Sequence, residues 1–561
     1  MLNNKFASPA PPHYTVSDYI ADRLKELNIY HIFDVPGDFV TNFMNVVVAR
    51  YPDIEFITTP NELIAGYSAD AYTRLNGAGA VAVTYGVGAF SLINAVAGAY
   101  VERNPLIVLN GSPSTSDRVL ENQKGVLIHH STGNFSANLD AYKNVTVAAV
   151  SIGDPTKAPE LIDQAIIAAF KFRRPCYIEV WKDVWQMLCA KPTGKLKLET
   201  PVSDPDTLKA AVASLTEKIN EAKNPLFWAG IELQRYGLQA NFKKLLSKTN
   251  IPYVTTLLAK SVIAENNEWF KGVYTGAACE APIRAAVEKS DLVIGLGTIV
   301  TDDYLTIVKT KYADMVVAYD GKLRIGYEEY NNVYLQDILK ALLSMKALKQ
   351  SANAPTFVKK TAAKAPPVKG PLTFNNFFEV VKPWIDDSMT IIIDESDSMY
   401  VASDIASNRA DAFVSEAAWG SIGYAAGAAS GVGLATKYRP VVFAGDGGFH
   451  MIAQSLETLV QYNPGSIVFL MNNAIFGIEQ ALIDWEAFDN PSTFMPYNLF
   501  PSWNYAALAN AFGAKPYRVE SIEELIALLP ELKKNKNVVS FIDVVIPTTD
   551  LPPQIKRLAT E

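Results

Sequence analysis

The stretch VVFAGDGGFH, residues 441–450, decides how this chain folds when it is paired with SIVFLMNN, residues 466–473. Each is an apolar, β-rich run that ends abruptly in turn-forming residues: Gly445, Asp446 and Gly447 in the first, Asn472 and Asn473 in the second. Buried strands of a parallel sheet have this signature, and the longer segments of helical period between them supply the crossovers. Working outward, TIIIDES (390–396) and VVSFIDVVIP (538–547) extend the pattern to a complete α/β block.

The same pattern occurs twice more upstream. HIFDVPG (31–37), IEFITTPNE (54–62), GAVAVTYGVG (79–88), PLIVLNGSP (105–113) and RPCYIEVW (174–181) are the strands of a first block. PLFWAGIEL (225–233), PYVTTLLAK (252–260), DLVIGLGTIV (291–300) and MVVAYDG (315–321) are those of a second. Two segments separate the blocks. KPTGKLKLETPVSDPD (191–206) is polar and Pro-rich, and SANAPTFVKKTAAKAPPVKG (351–370) is a Lys/Ala/Pro tract that cannot bury enough surface to order itself. The expected fold is α/β, with three doubly wound parallel-sheet domains at 1–190, 207–346 and 371–561, and linkers at 191–206 and 347–370.

Composition agrees with three folded domains. The 561 residues are 49% apolar and 19% charged, and their 50 basic and 58 acidic side chains leave a net charge of -8. No Lys/Arg-rich run marks a nucleic-acid footprint, and no apolar run reaches the roughly 20 residues that span a bilayer. Three scattered cysteines, Cys176, Cys189 and Cys279, form neither a disulfide framework nor a zinc site and read as reduced, packed thiols. The N-terminus lacks the apolar core of a signal peptide, so a cytoplasmic location is expected.

Ligands of open parallel sheets sit beyond the carboxyl ends of the strands, where the GDG and NN residues fall. An Asp and an Asn there offer the hard oxygens that Mg²⁺ prefers, and glycines let backbone N–H groups approach a phosphate closely. Alone, GDG is a common turn and NN a loop pair. About 24 residues apart and each after a strand, they make a combined signal.

This combination resembles the cofactor motif of thiamine diphosphate enzymes. The resemblance implies that the first block binds the cofactor's pyrimidine and the third its diphosphate. It makes Asp446, Asn473 and the carbonyl of Ile475 the Mg²⁺ ligands, with Gly447, Gly448 and Ile478 against the cofactor. Relatives that decarboxylate pyruvate often read NNDG where this chain has Asn473-Ala474-Ile475, a change that a backbone ligand tolerates.

The resemblance extends along the chain. TTPNELIAGYSADAYTRL (58–75) matches the family segment whose glutamate touches the pyrimidine, which assigns the activating role to Glu62. AAWGSIGYAAGAA (417–429) supplies Gly420, whose carbonyl would meet the pyrimidine amino group, and Ile422, the wedge that bends the cofactor. In IIIDESDSMYVA (391–402), Ser398 falls near the diphosphate and Tyr400 at a substrate-pocket position, beside Ile478 and Leu482. On their own, Glu62 is a favourable helix N-terminal residue and 417–429 a plausible buried helix.

Reaction type must come from acid and base groups around the substrate. Asp38 in HIFDVPGDF, the adjacent His129 and His130 in GVLIHHSTG, and Glu479 in NNAIFGIEQ match the Asp, His-His and Glu set of pyruvate and indolepyruvate decarboxylases. Decarboxylation to an aldehyde needs one proton delivered and another removed, and histidine beside carboxylates suits both steps. Only five histidines occur in the chain, which gives the adjacent pair weight against a surface coincidence. The expectation is therefore non-oxidative decarboxylation of a 2-oxo acid with thiamine diphosphate and Mg²⁺. The alternative is a carboligase that forms acyloins or acetohydroxy acids. The bulk of Tyr400 favours short or medium aliphatic side chains. The resemblance also implies a homodimer or homotetramer with active sites at the subunit interface, while the charge balance and the lack of a spanning apolar run lead us to expect no nucleic-acid or membrane partner.

Overall fold

A computed structural model describes residues 11–346, 348, 350, 351 and 366–560. Residues 1–10 of the expected first domain, most of the 347–370 linker and Glu561 lie outside the described residues. Three parallel-sheet α/β domains are present, distributed over two compact units.

The first unit comprises Met1–Thr200 together with Gly427–Lys437 and Glu457–Tyr462. Its six-stranded sheet is wholly parallel, in the order Glu55–Thr58, His31–Asp34, Gly79–Thr84, Leu106–Ser112, Cys176–Trp181, Ala148–Ile152. The central strands Gly79–Thr84 and Leu106–Ser112 are buried along their whole length, which is why they read as unbroken apolar runs. The chain leaves His31–Asp34 for one edge and returns to Gly79–Thr84, so a crevice opens between the loops that follow these two neighbouring strands. Small residues allow close approach elsewhere in the unit. The Ser68 hydroxyl donates to the Gly427 carbonyl at 2.6 Å, within the AAGAA segment of the sequence.

The second unit, Pro201–Ala426 with Tyr438–Leu456 and Asn463–Glu561, carries the other two sheets. The central sheet has five parallel strands, Met315–Tyr319, Leu292–Leu296, Pro225–Ala229, Tyr253–Thr255 and Phe270–Val273 in spatial order. It differs from a purely parallel sheet by a hairpin, Lys322–Ile325 and Glu328–Asn331, added antiparallel beyond Met315–Tyr319. Short polar strands with a two-residue Gly326-Tyr327 turn carry too little apolar periodicity to announce themselves.

The third sheet is wholly parallel, in the order Phe413–Val414, Met389–Ile393, Arg439–Gly445, Ile467–Asn472, Ser540–Val545, Lys515–Val519. Stacked Phe443 and Phe469, 5.3 Å apart, centre its core, with Phe377 and Phe378 edge-on or tilted against them. Glu265 helps to join the two sheets into one unit. It is buried, receives the Lys260 ammonium on both oxygens at 2.9 Å, and accepts the Ser407 N–H at 3.0 Å. Charge and hydrogen bonds are both satisfied there, as burial of an ion pair requires.

Candidate active site

Two groups of the expected residues form, one in each unit. In the second unit, Met389–Ile393 and Arg439–Gly445 are neighbours between which the strand order reverses, so their trailing loops flank a crevice. The first loop runs into the short helix Asp397–Val401 and carries Ser398 and Tyr400. The second is the GDG turn.

Asp446 begins the helix after its strand and is 1% exposed. Its Oδ1 accepts the Gly447 N–H at 3.0 Å and its Oδ2 the Ala474 N–H at 2.8 Å. The second bond draws the NN loop onto the GDG turn, so Asn473 and Ile475, both buried, flank the residue hydrogen-bonded to Asp446. Ala474 takes a left-handed φ of 56° to make this turn. Segment 498–500 braces it, with Phe476 N–H donating to the Asn498 carbonyl and Phe500 N–H to that of Ala474.

Burial, with Asp543 nearby, pushes Asp446 up to about 7, since the backbone amides of Ala474, Gly447 and Asp446 itself only partly offset desolvation. A buried carboxylate of this kind suits a cation. Among the described residues no three His, Cys, Asp or Glu side chains cluster as a metal site, so the expected set relies on one carboxylate, one amide and one carbonyl.

The surroundings fit a diphosphate. Ser398 is fully buried, yet its hydroxyl has no hydrogen-bond partner, which leaves a donor free for a phosphate oxygen. A side chain on Gly448 would lie 2.4 Å from Asp394 Oδ2 and 3.5 Å from the Ile422 side chain, so only glycine lets that backbone close in. The same contact places Ile422 beside the GDG turn. Asp394, which sequence reading passed over, organises this corner by accepting the N–H groups of Gly423 at 2.9 Å and Ala425 at 3.2 Å. Burial pushes it up to about 7. Its signal was its place at the carboxyl end of the IIID strand.

Gly420 adopts φ 70° and donates its N–H to the Glu416 carbonyl at 2.8 Å. Tyr400 is 5% exposed and its hydroxyl donates to Asp303 Oδ1 at 3.3 Å, which fixes the ring. Ile478, Glu479 and Leu482 share the helix Gly477–Asp484, where Ile478 is partly buried, Glu479 exposed and Leu482 54% exposed.

In the first unit, Asp38 follows one switch-point strand and Tyr85-Gly86 the other. Tyr85 donates its hydroxyl to the His129 carbonyl, and the Phe39 and Tyr85 rings stand edge-on to His130 at 6.2 and 6.0 Å. Gly86 has φ 62°, and a side chain there would collide with the His130 carbonyl at 2.2 Å. Asp38, His129 and His130 are exposed. Asp38 pairs with Lys182, a residue that sequence reading did not single out.

Glu62 opens the helix Glu62–Asn76, capped by the Asn61 side chain accepting the Ile64 N–H at 3.0 Å. A side chain on Gly88 would lie 3.2 Å from Glu62 Oε1, which places the carboxylate against the start of the helix that follows Tyr85-Gly86. The structure thus gathers Asp38, His129 and His130 around one crevice and Asp446, Asn473, Ile475, Ser398, Gly448 and Ile422 around another.

Three family models match the chain. The N-terminal TPP binding domain of thiamine pyrophosphate enzymes covers residues 14–140, the central domain of those enzymes 212–320, and their C-terminal TPP binding domain 397–544. A probable pyruvate decarboxylase of Schizosaccharomyces pombe is 31% identical, with 99% of this chain and 97% of the relative covered. An alpha-keto-acid decarboxylase of Mycobacterium leprae is 27% identical over 97% of this chain and 95% of its own length. In fold, the chain is similar to the crystal structure of benzoylformate decarboxylase from Polynucleobacter necessarius, with a TM-score of 0.78, 20% identity, and 96% of this chain and 99% of that one covered.

Proposed function

The chain belongs to the thiamine pyrophosphate enzyme family, and from that premise we propose that it decarboxylates a 2-oxo acid without oxidation, releasing CO₂ and an aldehyde. The observation that carries the reading is the Asp446–Ala474 hydrogen bond. It closes the GDG and NN loops into one buried, cation-seeking corner at a sheet switch point.

Asp446, Asn473 and the Ile475 carbonyl would hold Mg²⁺. Ser398, Gly447 and Gly448 would meet the diphosphate, and Gly420, Ile422 and Ile478 the rest of thiamine diphosphate. Bound there, the cofactor supplies the electron sink for the pair left by departing CO₂. Glu62 would hold a proton at the pyrimidine. Asp38, His129, His130 and Glu479 would deliver the proton that replaces CO₂ and remove the one that leaves as aldehyde forms. Tyr400, with Leu482 and Ile478, would bound the substrate side chain and favour short or medium aliphatic acids.

The same reading divides the chain at 1–190, 207–346 and 371–561, with one sheet inside each segment. It takes the protein to be a cytoplasmic homodimer or homotetramer with active sites at the subunit interface. Exposed Val87, Phe90, Leu482 and Ile483 support assembly, and three buried, unpaired cysteines support a reducing compartment. Among the described residues no helix is long and apolar enough to cross a membrane.

Glu62→Gln tests the assignment: turnover of a 2-oxo acid panel, followed as CO₂ and aldehyde, should fall to a trace. Near-normal turnover would overturn it. An acyloin or acetohydroxy acid as the main product would replace decarboxylation with ligation.

A further inference from the structure

The two histidines sit at the centre of a strained turn. Ser131 N–H donates to the Ile128 carbonyl at 3.0 Å, which makes Ile128–Ser131 a β-turn with His129 and His130 as its central pair. His130 has φ 71°. Turns with positive φ at this position take Gly or Asn, and another residue stays there only when its surroundings hold it.

Glu121 supplies that hold from outside the turn. Its Oε2 accepts the Ile128 N–H at 2.9 Å and its Oε1 the Ser131 hydroxyl at 2.7 Å, so one carboxylate grips both ends of the turn. Glu121 is itself fixed. It lies on the helix Thr115–Lys124, which buries none of its residues but is stapled by Arg118, three residues earlier. Arg118 donates to Ser112 Oγ at 2.7 Å and to the Pro113 carbonyl at 3.2 Å, and stands 4.1 Å from the Trp181 ring centre and 4.7 Å from that of Phe135. A Ser114/Asp117 capping box secures the helix start.

We propose that Glu121 is a positioning residue whose two carboxylate oxygens hold the His129–His130 turn, so that both imidazoles are presented for proton transfer. The inference rests on the proton-handling reading of the histidines. A carboxylate accepts at both oxygens, whereas the amide of glutamine has only one acceptor and turns a donor toward the other partner.

Glu121→Gln in the full chain, loaded with thiamine diphosphate and Mg²⁺, should lower kcat for pyruvate, or for the fastest 2-oxo acid of a panel, by about 10- to 100-fold. The cofactor dissociation constant should stay within twofold. In ¹⁵N-histidine spectra the ring signals of His129 and His130 should move while those of His13, His31 and His450 stay. Exchange of the Ile128 amide should accelerate. Ser131→Ala, which leaves the helix untouched, should reproduce part of the loss, and the double variant should fall short of the product of the two.

Unchanged kcat, or unmoved His129 and His130 signals, would overturn the role of Glu121. If instead His129→Ala and His130→Ala themselves retain aldehyde release, the proton-handling reading fails, while faster Ile128 exchange would still report the clamp.

Discussion

Lys182 Nζ stands 3.0 Å from Asp38 Oδ2 and 4.8 Å from the Phe39 ring centre, so a cation from the far side of the sheet order orients the expected catalytic carboxylate. Both partners are substantially exposed, at 35% and 63%, so the pair is worth at most about 1 kcal/mol and is screened by salt. Lys182→Met, which keeps the stem over Phe39, should lower kcat severalfold at low ionic strength. Steady-state rates of native protein and variant should converge in about 0.5 M KCl, where the Debye length falls to a few ångströms.

Tyr400 is anchored through its hydroxyl to Asp303 and almost fully buried, so in the proposed substrate pocket it would be a fixed wall. Tyr400→Ala should raise the kcat/KM ratio of phenylpyruvate to pyruvate by about 10- to 100-fold, the range that apolar pocket volume commands. Tyr400→Phe should leave the ratio nearly unchanged. Competition assays with the two acids check both outcomes.

Ala474 holds a left-handed conformation while donating to Asp446. That conformation costs an alanine about 1–2 kcal/mol; a glycine escapes the cost, and its freer unfolded chain gives back part of the gain. Ala474→Gly should raise thermal stability by up to about 1 kcal/mol. Ala474→Val, branched where φ is positive, should weaken Mg²⁺-dependent cofactor binding. Differential scanning calorimetry and a cofactor titration read the two effects.

Asp34 is fully buried at the end of its strand, with Oδ1 accepting the Thr58 hydroxyl at 3.1 Å and Oδ2 unpartnered, and burial pushes it up to about 7. The unfolded chain releases this proton near 3.9. Its stabilising contribution is therefore fully present below about 4 and is lost as pH rises through 7. Asp34→Asn should melt higher than the native protein at pH 8, and the gap should narrow toward pH 5. Thermal unfolding at the two pH values decides it, and a constant gap would assign the effect to packing.

Parallel sheets in all three blocks were legible because interior strands such as Ile467–Asn472 and Leu106–Ser112 are buried on both faces and spell continuous apolar runs. The strands that escaped notice lie at or next to edges. Ala148–Ile152 and Lys515–Val519 are mostly half-buried or exposed, and Phe413–Val414 is only two residues long. The meeting of the GDG and NN loops was readable for a similar reason: they leave adjacent parallel strands, so sequence spacing maps onto spatial neighbourhood. The supports of the first-unit residues were not readable. Lys182 is 144 residues from Asp38 and Tyr85 is 44 from His129, and only sheet order and a loop bring them together. Glu121 is near the histidines in sequence, but nothing before folding distinguishes it from a solvated helix charge.

The antiparallel hairpin of the central sheet has a consequence for how copies of the chain can meet. Its outer strand shows Glu328 and Glu329 to solvent, while Lys322 ties Glu329 back across the hairpin at 3.0 Å. Two such rims brought side by side would oppose like charges, a form of edge protection that discourages strands from pairing edge to edge into fibres.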